Sequence, residues 1–149
     1  MNIRILSRVV VYDKDAGRIL LVRNKGCDFW YIPGGGWEYE KENILNCGIR
    51  EVKEETGLDI VLDKFMYLRE YHENQNKIFF ETFWLAHVMK SFNLKENHID
   101  LDPNGSVEES KWFTKKDIET LTVFPEFLKE KFWLEVNDIY INNNRFVGF

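Results

Sequence analysis

Between Gly36 and Leu58 nine positions stand at fixed distances from one another: Gly36, Glu42, Arg50, Glu51, Val52, Glu54, Glu55, Gly57 and Leu58. With ordinary residue frequencies, a window holding these identities, with apolar residues at its two hydrophobic positions, arises by chance on the order of once in ten million chains of this length. The same window dictates its local structure. A glycine-rich loop, Pro33 to Gly36, leads into a helix predicted over Ile44 to Thr56, with Asn43 suited to the N-cap and Gly57 to the C-terminal stop. Leu45, Gly48, Ile49 and Val52 recur at i, i+3, i+4 and i+7, an apolar stripe that would lie on a sheet, and Gly48 within it would allow close packing. Glu51, Glu54 and Glu55 follow the spacing i, i+3, i+4. At about 100° per residue they occupy a sector beside the stripe rather than opposite it.

Three carboxylates crowded at the edge of a core repel one another unless something positive sits among them. A hard divalent cation is the natural partner, and oxygen-only ligands favour Mg²⁺, with Mn²⁺ as a substitute. No CxxC or HxxxH spacing suggests zinc. Metal bridging the carboxylates to a pyrophosphate would hold the substrate, neutralise charge on phosphorus and ease deprotonation of a bound water. Alone, EVKEE is a common string on solvated helix faces; the glycines and arginine at fixed distances reverse those odds. The GGG loop is no P-loop, since no Lys and Ser or Thr follow it, and Tyr39 stands where a dinucleotide fingerprint needs Gly.

The window resembles the Nudix box, the signature of hydrolases that cleave a nucleoside diphosphate linked to another group, and every defining position matches. The resemblance implies an α/β/α sandwich, a mixed sheet flanked by helices. It implies Mg²⁺-dependent hydrolysis of a phosphoanhydride bond by water attack on phosphorus, with Glu51, Glu54, Glu55 and the Gly36 carbonyl as the metal site. It gives Arg50 the task of orienting a box glutamate. Family members differ in which carboxylate is the base, so Glu51 and the Glu108 region compete for that role. Selection among nucleoside triphosphates, nucleotide sugars, ADP-ribose and dinucleoside polyphosphates depends on elements outside the box. The rival from another class is a nucleotide-sensing Nudix domain without turnover; such modules usually lose box carboxylates, and all four box glutamates are kept here.

Outside the box, Glu81 lies in IFFETFWLAHV, a run apolar on both faces where an unpaired carboxylate is expensive to bury. It is either an edge residue or a functional one on a central strand. Glu108 and Glu109 precede Trp112 and Phe113, where many family members supply a further acidic ligand or base; strand alternation would point one inward and one out, with Glu108 favoured. Arg23 ends a strand where the family often places a phosphate-binding cation, and a plain strand-end charge is the alternative. Trp30, Tyr31 and Trp37 flank the glycine loop and are candidates to stack on a base, Trp37 first among them because it follows Gly36. His72, His87 and His98 share no spacing with one another or the box.

At 149 residues, 44% hydrophobic and 15% aromatic, the chain has the size of one domain, 1–149, with a sizeable core. Its net charge of −5 gives no basic field for long nucleic acid, so the expected partner is a small nucleotide, not a duplex. A homodimer remains an open option. No stretch is long and apolar enough for a membrane helix, and the MNIRILSRVVVYDKD start reads as a strand rather than a signal peptide. Two cysteines, Cys27 and Cys47, suggest reduced thiols in a cytoplasm.

Predicted strands cover Ile3 to Tyr12 and Arg18 to Arg23 around an Asp13 to Gly17 turn, then Ile60 to Tyr71 and Ile78 to Met89 around a polar turn from His72 to Lys77. Val107 to Phe113 forms another strand after a DPNGS loop, and helices follow at Lys115 to Leu121 and Pro125 to Leu134. Asn142, Asn143 and Asn144 belong to a tail of unassigned role.

Overall fold

The chain alternates between strands that carry two different apolar faces and one long helix that covers only one of them. A computed structural model describes residues 1–89 and 105–137; His98, part of the DPNGS loop and the asparagine tail lie outside these residues. The elements are β1 (Asn2–Asp13), β2 (Arg18–Asn24), β3 (Trp30–Tyr31), β4 (Gly34–Gly36), α1 (Ile44–Thr56), β5 (Ile60–Asn74), β6 (Lys77–Val88), β7 (Val107–Thr114), α2 (Lys115–Glu119), β8 (Val123–Phe124), a 3₁₀ turn (Glu126–Leu128) and α3 (Lys131–Glu135).

β1 organises the sheet. It runs parallel to β6 from Asn2 to Val11, pairs antiparallel with β4 through Leu6 to Arg8, and meets β2 only at Tyr12 and Asp13. The strand path is β5-β6-β1-β2-β3-β8, with β4 on β1 and β7 on β2. Changing partners along one strand curls the mixed sheet. Alternation then sorts the side chains. Val9, Val11 and Leu20 join Val52 of α1, Leu58, Ile60 and Ala86 in one core layer. Val10, Ile19 and Leu21 face the other way, into a layer with Tyr67, Phe83, Phe113, Ile118, Leu128 and Phe132 beneath α2 and α3. Helices therefore flank both faces of a mixed sheet.

The α1 helix forms over the predicted residues because both ends are chemically marked. Asn43 accepts the Asn46 amide, a cap worth about 1 kcal/mol. Gly57, at φ 73°, closes the far end by returning its N–H to the Lys53 carbonyl. The buried residues are Cys47, Gly48, Val52 and Thr56, whereas Leu45 is 42% exposed, so the packed stripe is rotated from the predicted one. A Cβ on Gly48 would stand 2.8 Å from Ser7 Oγ and 2.9 Å from Val9 Cγ2, which makes glycine the condition for close packing there.

Most expected boundaries shift by one or two residues, and α2 stops at Glu119 rather than Leu121; two expectations differ more. The β5–β6 strands run on to Asn74 and Lys77, leaving a tight turn in which the Asn74 side chain accepts the Asn76 amide, instead of a loop from His72 to Lys77. The helix expected from Pro125 to Leu134 splits into the 3₁₀ turn and α3. The Leu128 carbonyl, which a continuous helix would offer to the Phe132 amide, instead accepts the Trp133 indole N–H at 2.7 Å, and both Leu128 and Phe132 are fully buried.

Candidate active site

The glycine loop and α1 are pressed together where the box carboxylates emerge. β4 pairs with β1 through Leu6↔Gly36, Ser7↔Gly35 and Arg8↔Gly34. A Cβ on Gly35 would lie 2.4 Å from the Glu51 carboxyl carbon, so the absence of a side chain is what seats that carboxylate against the loop. The Gly34 amide donates to Glu55 Oε2 at 3.3 Å. A Cβ on Gly34 would meet the Ser7 carbonyl oxygen at 2.2 Å, and its φ of +152° disfavours other residues as well.

Arg50 binds this cluster together. Its Nε and Nη2 donate to the two Glu42 oxygens at 2.9 and 2.7 Å, a bidentate pair. Its Nη1 donates to Glu51 Oε1 at 2.8 Å and to Glu54 Oε2 at 3.1 Å, and Nη2 reaches the Gly36 carbonyl at 3.4 Å. These bonds push the guanidinium further above its already high range and hold the Glu42 carboxyl below the ordinary carboxylate value, Arg50 being the main cause. Cys47 donates its thiol to the Gly35 and Gly36 carbonyls at 3.7 and 3.5 Å, and burial pushes that thiol up to about 12. The positive group expected among the carboxylates is thus present within the chain itself, as an arginine. Among the described residues, no three His, Cys, Asp or Glu side chains are gathered to hold a metal ion.

Beside the cluster opens a cavity of about 580 Å³ whose lining includes Glu55, Gly34, Glu81, Arg8, Arg69 and Tyr31. Glu81 sits on β6 between β5 and β1, not at an edge, and is 7% exposed. Its carboxylate accepts Arg8 Nε at 3.2 Å and Arg69 Nη1 at 2.8 Å. Glu81 and the box residue Glu55 therefore share one cavity.

The other sequence candidates lie elsewhere. Arg23 is held by Glu108 at 3.0 Å and Glu109 at 3.1 Å and donates to the Cys27 carbonyl at 2.9 Å. Glu108 and Glu109 thus converge on one arginine instead of pointing to opposite faces, and neither they nor Arg23 line the cavity. Trp37 donates its indole N–H to the Glu42 carbonyl at 2.9 Å and packs edge-on to Tyr39, again off the cavity. Trp30 is core, against Phe113, while Tyr31 does line the cavity.

Sequence reasoning passed over Arg4, Arg8 and Arg69. A Cβ on Gly36 would stand 2.8 Å from Arg4 Nη2, which places that guanidinium over the loop. Arg4, Leu6 and Arg8 alternate along β1, and Arg69 is the register partner of Glu81 across β5 and β6. The readable signal was the demand of a carboxylate in an apolar strand for basic neighbours on adjoining strands.

Comparison with known proteins agrees with this arrangement. The model of the NUDIX domain matches residues 4–137. The chain is 28% identical over 110 residues to the Saccharomyces cerevisiae m7GpppN-mRNA hydrolase, which covers 72% of this chain and 10% of that protein. It is 39% identical over 66 residues to the human nucleoside diphosphate-linked moiety X motif 6, 43% of this chain and 21% of that one. The chain thus spans only a minor part of the length of these curated relatives. Among solved structures, an ADP-ribose pyrophosphatase from Streptococcus suis superposes with a TM-score of 0.69 at 21% identity, covering 97% of this chain and 98% of the other. A UDP-X diphosphatase superposes with a TM-score of 0.71 at 14% identity, covering 98% and 67%. At those identities the structures speak to the fold, and the family model, spanning nearly the whole chain, decides the relationship: the chain belongs to the Nudix hydrolase family.

Proposed function

We propose that the chain hydrolyses, with Mg²⁺, a phosphoanhydride bond in a nucleoside diphosphate derivative or nucleoside triphosphate. The observation that carries this reading is the seating of Glu51 and Glu55 on the side-chain-free backbone of Gly34 and Gly35, at the rim of a nucleotide-sized cavity that Glu55 lines. The donor set fits a hard cation: the carboxylates of Glu51, Glu54 and Glu55 and the Gly36 carbonyl are all oxygen. When bound there, such a cation supplies charge neutralisation on the diphosphate and easier deprotonation of a water.

The chain's own residues have distinct tasks. Glu42 anchors Arg50 through both carboxylate oxygens, so the guanidinium can release Glu51 and Glu54 and still be held in place. Arg50 in turn fixes the orientation of Glu51 and Glu54 while they wait for a ligand. Glu108 is paired with Arg23 off the cavity, whereas Glu51 is seated on the glycine loop in the same cluster as Glu55, which favours Glu51 as the group that takes the proton from the attacking water. The names of similar proteins, an ADP-ribose pyrophosphatase and a UDP-X diphosphatase, support a diphosphate-linked nucleoside as substrate class.

The test is a panel of nucleoside triphosphates, nucleotide sugars, ADP-ribose and dinucleoside polyphosphates, scored for released phosphate, pyrophosphate or nucleoside monophosphate. Turnover with Mg²⁺ or Mn²⁺ and none with excess EDTA is expected. Full turnover after verified metal removal would overturn the proposal.

A further inference from the structure

The cavity holds a second charged device that the carboxylate chemistry does not use. Glu81 gives one oxygen to Arg8 and the other to Arg69, so two guanidinium ions share one buried carboxylate. Arg8 spends Nη1 on the carbonyls of Ile32 at 3.3 Å and Gly34 at 3.4 Å, while its Nη2 meets no acceptor among the described residues. Arg69 spends only Nη1, so it keeps the Nε–Nη2 edge, whereas Arg8, with Nε also on Glu81, offers Nη2 alone. Aromatic rings hold both planes, Tyr31 with its centroid 5.6 Å from Arg8 and Tyr71 with its centroid 4.8 Å from Arg69. Asn24 accepts the hydroxyls of Tyr31 and Ser106 on its side-chain oxygen, which leaves its amide nitrogen as a donor. The lining's other carboxylates are Glu55, which accepts the Gly34 amide, and Glu73, paired with Lys77; around Arg8, Arg69 and Asn24 the groups left for a ligand are donors, and Phe29 and Phe79 add apolar wall.

A planar ring that presents two adjacent acceptors on one edge matches such a site. The 6-oxopurines do so with O6 and N7, the edge that an arginine fork binds through two parallel hydrogen bonds. Adenine places an amino donor at the same position, where it would face guanidinium donors. We infer that the cavity is a base pocket that selects a guanine or hypoxanthine nucleotide, read by Arg8 and Arg69 on their shared Glu81. This inference rests on the nucleoside diphosphate reading above and names the base. Glu81 is a positioning residue: it keeps both guanidinium groups turned to one ligand and offsets part of their mutual repulsion.

The experiment is calorimetric titration of the metal-free protein with GMP, IMP, AMP, UMP, guanosine and inorganic phosphate. GMP and IMP should bind roughly tenfold or more tightly than AMP or UMP, and guanosine should compete with GMP while phosphate at equal concentration should not. Arg69→Lys, which keeps the charge and removes the fork, should reduce the preference to within about threefold. Equal affinity for AMP, displacement of GMP by phosphate but not by guanosine, or an intact preference in a folded Arg69→Lys variant would each overturn the inference. Should that variant not fold, the ranking on the parent protein still decides. An oxopurine preference with no turnover of any panel substrate would sink the proposed hydrolysis and leave the pocket standing; turnover without the preference would do the reverse.

Discussion

Arg50 touches three carboxylates and a carbonyl at once, and that one side chain changes what substitution of its neighbours should do. Reasoning from carboxylate repulsion alone suggests that Glu51→Gln leaves the metal-free fold unharmed or slightly stabilised. With Glu51 bonded to Arg50 at 2.8 Å and its side chain only 14% exposed, the change instead removes an attractive contact, so a small loss of melting temperature is expected. Activity should fall much further: Glu51→Gln and Glu55→Gln should each lower kcat/KM by well over tenfold, above about 1.4 kcal/mol of transition-state stabilisation. Glu40→Gln is the control, an exposed residue bonded to Tyr39, and should leave the rate near parental. Glu42 carries the pH dependence. Its folded-state value is depressed by Arg50, so its contribution to stability is fully present above the ordinary carboxylate range and lost as pH falls through the depressed value. Melting temperatures between about pH 5 and pH 3 should therefore decline more steeply for the parent than for Glu42→Gln; parallel curves would remove Glu42 from the account.

At the scale of elements, what was legible is what sequence writes locally. The α1 boundaries were readable to the residue because a side-chain N-cap and a left-handed glycine are local signals. The segment after Pro125 was misread because a tertiary choice broke its helical pattern, an indole taking the backbone acceptor. The need of Glu81 for basic partners was readable, but not that they are Arg8 and Arg69, since these arrive from strands whose register only the folded sheet sets. The glycine loop yields a paired prediction. In Gly35→Ala the new methyl meets the end of the Glu51 side chain, which can swing away, so the fold should persist with only the small loss of melting temperature that breaking the Glu51–Arg50 contact brings, while kcat/KM drops at least about tenfold. In Gly34→Ala the methyl meets the Ser7 backbone, which cannot move without breaking the β1–β4 pairing, so stability itself should fall by about 2 kcal/mol or more. Thermal melts beside initial rates separate the two; similar melts for both variants would count against this assignment.

For the molecule as a whole, the sign and placement of charge set the range of partners. The net charge is −5, and among the described residues every arginine except Arg4 is ion-paired: Arg8 and Arg69 on Glu81, Arg18 on Asp13, Arg23 on Glu108 and Glu109, Arg50 on the box glutamates. Arginines so engaged have less charge to offer a phosphate backbone. A net charge of −5 should repel a long polyanion at a distance, while Arg8 and Arg69 act only at short range, within the cavity. Binding to a duplex DNA of about two helical turns at physiological salt should therefore be weaker than the roughly 1–100 μM nonspecific binding of basic proteins. Where any binding is seen, its logarithm should fall only shallowly with the logarithm of salt concentration, because few phosphates are neutralised. Fluorescence anisotropy across a salt series checks both, and a submicromolar complex with a steep salt slope would mean that the cations on this surface act together after all.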